Sequence, residues 1–170
     1  VRTSTQHVAA VARQETYNSN DITHYAWIST LDGRTSPTCQ KRDGQVYEVG
    51  KGPLPPAHPN CRSTTIAIDN LAAETKMDEG VLKLDLQHGL RPEKDEDGVG
   101  KTNIKNDYNS WLGRQSKGFQ VDALGKTKTE LFRKGGLTVS KFVDRLDRPL
   151  TLEQLEQTFP TAWSKADLAT

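Results

Sequence analysis

Cys39, His58 and Cys61 are the residues of this chain whose types and spacing could hold a metal ion together. The two cysteines bracket the stretch CQKRDGQVYEVGKGPLPPAHPNCR. Within it, His58-Pro59-Asn60-Cys61 sets an imidazole and a thiol two residues apart, close enough for both to grip one ion. Cys39 arrives from the other end of the loop. Three such donors suit zinc, whereas a closed structural zinc site takes four. Asp32 or Asp43 could add an oxygen, while Ser36 stands where a second cysteine would complete a C-x2-C knuckle with Cys39. Two other readings compete. His58 bonds the loop backbone and the cysteines are small buried hydrophobes, or the cysteines pair as a disulfide. Asp32, His58 and Asn60 are also the residue types of a metal-dependent ββα nuclease, with histidine as general base and the acid on the ion. The helix that such a site requires is missing, because Cys61 runs straight into the strand-like STTIAI. Cys39 and His58 as a thiol nucleophile pair lack a third group to orient the base.

The elements that must position these residues are set by periodicity. TQHVAAVARQETY places Val8, Ala9, Ala12 and Tyr17 near one face at helical spacing, and NSND ends that helix. HYAWISTL alternates aromatic and aliphatic residues and reads as a strand to Leu31. QVYEV after the Asp43-Gly44 corner is a second strand, and the β-branched run STTIAI a third. LQHGLRPEKDEDGVGKT, with its glycines and charge cluster, reads as an exposed linker. Beyond it the patterns are helical: a cap at Asn106 or Asp107, a Gly pair closing KTKTELFRKGG, Val139, Phe142, Val143 and Leu146 at i, i+3, i+4, i+7, and a capping box from Thr151 to Gln154 ahead of Leu152, Leu155 and Phe159. The fold class expected is α+β, a small antiparallel β-hairpin core with an N-terminal helix and a C-terminal set of short helices. The organisation expected is residues 1–70 carrying the Cys/His loop, an acidic, partly flexible linker over 71–105, and a helical region over 106–170.

The chain has 170 residues, 34% of them hydrophobic and 26% charged, with a mean hydropathy of -0.72, so a thin core and long surface segments are expected. A formal charge of +1 gives no global attraction to nucleic acid or membrane. The distribution is uneven, acidic from Asp69 to Asp97 and basic from Lys101 to Arg148. Lys126, Lys128, Arg133 and Lys134 form a candidate stripe for DNA or an acidic partner. No apolar run approaches the roughly 20 residues that span a bilayer, and no export signal opens the chain, so reduced thiols are expected. Beginning mid-pattern at Val1, the sequence reads as part of a longer polypeptide.

VRTSTQHVAAVARQ, then YAWISTLDGRTSPTCQKRDGQVY, then PLPPAHPNCRSTT resemble, in this order, the phage Mu F-like minor head proteins, the phage head morphogenesis family. The segment from Tyr108 to Leu155 is similar to the region downstream of that domain in many minor capsid proteins. The family pattern falls on Arg2, Thr3, Asp32, Arg34, Thr35, Cys39, Asp43, Gly44, His58, Pro59, Cys61 and Arg62. The resemblance implies a virion component rather than an enzyme, made in the host cytoplasm and carried inside the capsid. Its implied partners are portal and capsid proteins and DNA during packaging or ejection, with neither membrane nor small-molecule substrate. Many relatives have C-x2-C at Ser36 and Cys39, and C-R-C where this chain has Cys61-Arg62-Ser63. An ion-free alternative fits the residues: Arg34 and Arg62 donating bidentate bonds to Asp32 or Asp43 and pinning the loop ends.

Overall fold

The computed structural model describes residues 2–68 and 89–168. The elements in chain order are α1 (Arg2–Ser19), β1 (His24–Ile28), β2 (Leu31–Asp32), α2 (Pro37–Arg42), β3 (Val46–Glu48), β4 (Thr64–Ile68), β5 (Leu90–Asp95) and β6 (Gly98–Asn103). Then come α3 (Tyr108–Gly113), α4 (Lys117–Leu124), α5 (Lys126–Arg133), a 3-10 turn (Val139–Phe142), α6 (Leu152–Thr158) and α7 (Pro160–Lys165). The class is α+β, as the patterning implied. Two compact units share the chain. One takes Val1–Thr30, Arg42–Arg91 and Asn103–Lys105, the other Leu31–Lys41, Pro92–Thr102 and Asn106–Thr170.

In the first unit β1 is the central strand of an antiparallel sheet ordered β3-β1-β4. Tyr25 pairs with Tyr47 on one side and Ala67 on the other. Tyr25, Ala26, Trp27 and Ile28 are all buried, because strand alternation sends Tyr25 and Trp27 to one face and Ala26 and Ile28 to the other, and both faces are covered. Ile66, Ile68, Val46 and Ile104 pack with Ala26 and Ile28. On the opposite face α1 lies against the sheet: the rings of Tyr17 and Tyr25 stack 6.4 Å apart, Tyr17 Oη is 3.3 Å from Thr65 Oγ1, and Gln6 Nε2 donates to the Ser63 carbonyl at 2.6 Å. The inward stripe of α1 is therefore Gln6, Ala10 and Tyr17. Val8, expected inside, is 67% exposed, because the long Tyr and Gln side chains reach the sheet and leave the valine on the outer face.

Arg91 holds this unit from a segment expected to be linker. Its guanidinium donates to both carboxylate oxygens of Asp43, Nη1 to Oδ2 at 2.9 Å and Nη2 to Oδ1 at 2.5 Å, and to the Ser29 carbonyl. Ser29 N donates to Asp43 Oδ1 at 2.7 Å, and both charged side chains are 1% exposed. Residues 90–103 form the β5–β6 hairpin rather than linker. Asp95 Oδ1 accepts the Asp97 amide at 3.0 Å, and Gly98 supplies the positive φ of 126° that folds the chain back. Both strands are polar on each face, so no alternation marks them. Residues 69–88, the acidic part of the expected linker, lie outside the described residues.

In the second unit the short β2 pairs in parallel with β5, and the helices enclose Tyr108, Trp111, Leu112, Leu131, Phe142 and Leu155. Asp107 caps α3 by accepting the Ser110 amide at 2.6 Å, and Thr151 with Gln154 forms the capping box of α6. Gln120, 1% exposed, uses its groups fully: Nε2 donates to the Leu112 and Gln115 carbonyls, while Oε1 accepts from Arg133. The helix expected through Leu146 stops at Phe142. Asp144 Oδ1 accepts the amides of Leu146 and Arg148, an alternative to helical bonding, and leaves Leu146 72% exposed.

Arg91→Met strands the Asp43 carboxylate in the interior and is expected to cost about 3–5 kcal/mol, the usual penalty for breaking a buried pair from one side. Urea unfolding measures it, and a loss below about 1 kcal/mol, the level of an exposed pair, would contradict the assignment.

Candidate metal centre

The cysteine and histidine positions are built by local chemistry. His58-Pro59-Asn60-Cys61 is a β-turn closed by Cys61 N donating to the His58 carbonyl at 3.1 Å. Proline presets φ at the second position, and Asn60 adopts φ 58° at the third, the left-handed conformation asparagine tolerates. His58 Nδ1 lies 2.9 Å from the Pro59 carbonyl. A carbonyl only accepts, so Nδ1 carries the proton and Nε2 the lone pair that can bind a metal. Cys39 sits on α2 and is 2% exposed; Cys61 is 1% exposed, and both are thiols rather than halves of a disulfide. One donor atom from each of Cys39, His58 and Cys61 lies within 4.8 Å of the other two. Two thiols and an imidazole are donor types that suit zinc, and a closed tetrahedral site would take a fourth donor.

Asp32 is not one of that group. Its Oδ1 accepts the Arg34 amide at 3.0 Å and the Thr35 hydroxyl at 3.1 Å, which makes the DGRT stretch a side-chain-closed turn. The Arg34 guanidinium stands 4.0 Å from Asp32 Oδ2 and is 79% exposed, a loose contact rather than the bidentate clasp expected from sequence. The bidentate partner of Asp43 is Arg91, a residue that sequence reading missed because it sits in a charged run with no periodicity. Thr3 accepts the Asn60 amide at 3.3 Å and so ties α1 to the turn, the Arg62 carbonyl accepts from Thr30, and Arg2 is exposed at the start of α1.

The two serines that stand in place of thiols have structural roles. Ser36 Oγ accepts the Cys39 amide at 3.3 Å and Ser36 O the Gln40 amide at 2.8 Å, which makes Ser36 the N-cap of α2 with Pro37 at the first helical position. Ser63 Oγ is 3.1 Å from Ser29 Oγ, which in turn accepts the buried Trp27 indole N–H at 3.0 Å.

The basic stripe is largely engaged within its own unit. Lys128 Nζ lies over the Phe142 ring at 5.7 Å, and burial holds its pKa below the usual lysine value. Arg133 donates to Gln120, and Lys134 pairs with Glu130 at 3.4 Å and Asp167 at 3.3 Å, while Lys126 is exposed.

Residues 1–66, the segment that carries α1, β1, β3, the first part of β4 and the whole Cys/His loop, match the model of the family described as Phage Mu protein F like protein. No curated protein and no solved structure matches the chain.

Two carboxylates of the second unit make its stability pH-dependent. The ammonium of Lys117, 2.5 Å away, with Lys134 beside it, holds the Glu130 carboxyl below its ordinary value. The Arg148 amide, with the Arg148 side chain and the Leu146 amide, does the same for Asp144. Depressed folded-state values mean stability that is fully present above the ordinary carboxylate range and lost as pH falls below it through the lower folded-state values. Melting temperature is expected to drop on acidification from about pH 5 to about pH 3, less steeply in Glu130→Gln; an identical acid slope in that variant would refute the role of Glu130.

Proposed function

From the match of residues 1–66 to the family described as Phage Mu protein F like protein, we propose that the chain is a minor head protein of a phage, a structural part of the virion that associates with portal and capsid proteins. The observation that carries this reading is the family match over the segment holding the entire Cys/His loop. The roles of the signature residues support a scaffold rather than a catalyst. Asp32 closes a turn, Asp43 is consumed by a buried pair, and Ser36 and Ser63 cap a helix and pin a strand. Co-expression with the portal protein tests the assignment. The two are expected to purify together, and their separation under gentle salt would remove the portal from the proposal.

Cys39, His58 and Cys61 are proposed to hold zinc in a structural role, with thiolates and the His58 Nε2 as donors. Bound there, the ion would supply a crosslink between the ends of the loop. The protein purified without chelator is expected to contain one equivalent of zinc by elemental analysis, lost in Cys61→Ala. A zinc-free wild type would leave the loop held by its turn and hydrogen bonds alone. A nuclease reading gains nothing from this donor set, because Asp32 is committed to its own turn. Plasmid incubated with Mg, Mn or Zn should survive equally with wild type and His58→Ala. Binding of DNA through Lys126 and its neighbours is the second reading for the basic region; it would show as salt-sensitive retention of DNA on filters, and no retention at low salt would end it.

A further inference from the structure

The helix that carries Cys39 is fixed by residues far outside the family-matched segment. α2 has six residues, too few to persist alone. Ser36 caps one end; the other fixings come from more than a hundred positions along the chain. Lys41 Nζ lies 2.7 Å from Asp147 Oδ1 and donates to the Asp144 carbonyl at 2.8 Å, while Thr38 Oγ1 donates to the Asp147 carbonyl at 3.0 Å. Thr38 and Lys41 are three apart, hence on one side of the helix, and Cys39 projects from another. The Lys41 and Asp147 side chains are 21% and 19% exposed, so the pair is shielded well beyond an ordinary surface bridge. The loop that presents Asp147 is itself braced. The Asp144 carboxylate takes the amides of Leu146 and Arg148 and the Arg148 guanidinium, and Asp147 holds φ 61°.

We propose that Asp147, acting with Lys41, is a positioning residue for Cys39: it clamps α2 so that the thiol is held where the loop needs it. The metal-affinity arm of this proposal rests on the zinc reading above; the positioning itself does not. The full chain is compared as wild type, Asp147→Asn, Lys41→Met and Lys41→Arg, the asparagine being chosen because it tolerates the left-handed backbone. Zinc affinity is measured by competition with a chromophoric chelator. In metal-free protein the alkylation rates of the two thiols are followed separately by mass spectrometry, with Cys61 as internal reference. Asp147→Asn and Lys41→Met are expected to weaken zinc about tenfold or more, as loss of a supporting residue does. They should also speed alkylation of Cys39 severalfold while Cys61 is unchanged, and Lys41→Arg should restore both. An unchanged Cys39 rate, or Cys39 and Cys61 rising together with a general loss of stability, overturns the clamp. A wild type that takes no zinc overturns the metal reading instead, and the alkylation rates still decide the clamp.

Discussion

The buried pair of Asp43 and Arg91 is the constraint around which the first unit is arranged. Removing two charges from water costs several kcal/mol for each ion, and only near-ideal geometry with further hydrogen bonds offsets it. Here two nitrogens meet two oxygens, and the Ser29 amide and carbonyl supply one more bond to each partner. The pair therefore joins three places that are remote in sequence, the end of β1, the corner before β3 and the start of β5. The corner is fixed in turn by Gly44, whose amide reaches the Trp27 carbonyl at 2.9 Å with φ 75°, a conformation a side chain would strain. Trp27 is held from its face by Arg42, 5.0 Å from the ring centroid, and at its indole N–H by Ser29.

Around that anchor, small polar side chains do what a larger core would do in a bigger domain. Ser36 and Asp32 each fix a helix end or turn through their side-chain hydrogen bonds, Asn60 fixes one through its left-handed backbone, and Ser29 with Ser63 satisfies the buried Trp27 indole. In the second unit Gln40 joins this pattern, donating to the Thr35 carbonyl at 2.7 Å and to Tyr108 Oη at 3.2 Å, while Tyr108 donates to the Asp32 carbonyl at 2.9 Å. These bonds are local or unit-internal and directional, and they set the backbone at the positions from which Cys39, His58 and Cys61 project.

Features with a period or a local signature are legible in the sequence. The strands around Tyr25, Tyr47 and Ile66, the caps at Asp107 and Thr151, and the Cys/His cluster belong to this group, because alternation, capping spacing and ligand type are short-range. Periodicity places Tyr17 on the inward face of α1 correctly but misreads Val8 and Ala12, which are exposed, while Gln6, whose polar tip finds a partner on the sheet, and Ala10 turn inward. Arg91 and the β5–β6 hairpin are illegible because β5 carries charge on both faces, β6 is rich in glycine and polar residues, and the partner of Arg91 lies 48 residues earlier. The helix expected through Leu146 stops at Phe142 because Asp144 offers the backbone a competing acceptor. Ser36 and Ser63 look like missing ligands, and only tertiary contacts give their hydroxyls a use.

The way the two units alternate along the chain has a consequence for modularity. Residues 1–66 reach into every strand of the first sheet, yet Asp43 is neutralised by Arg91 and Lys41 is gripped by Asp147, both beyond that boundary. A boundary drawn by sequence similarity is thus not a boundary of folding. Trimmed or grafted at residue 66, the segment would carry a carboxylate with its guanidinium left behind, so the piece that recombination could move intact is longer than the piece that similarity recognises.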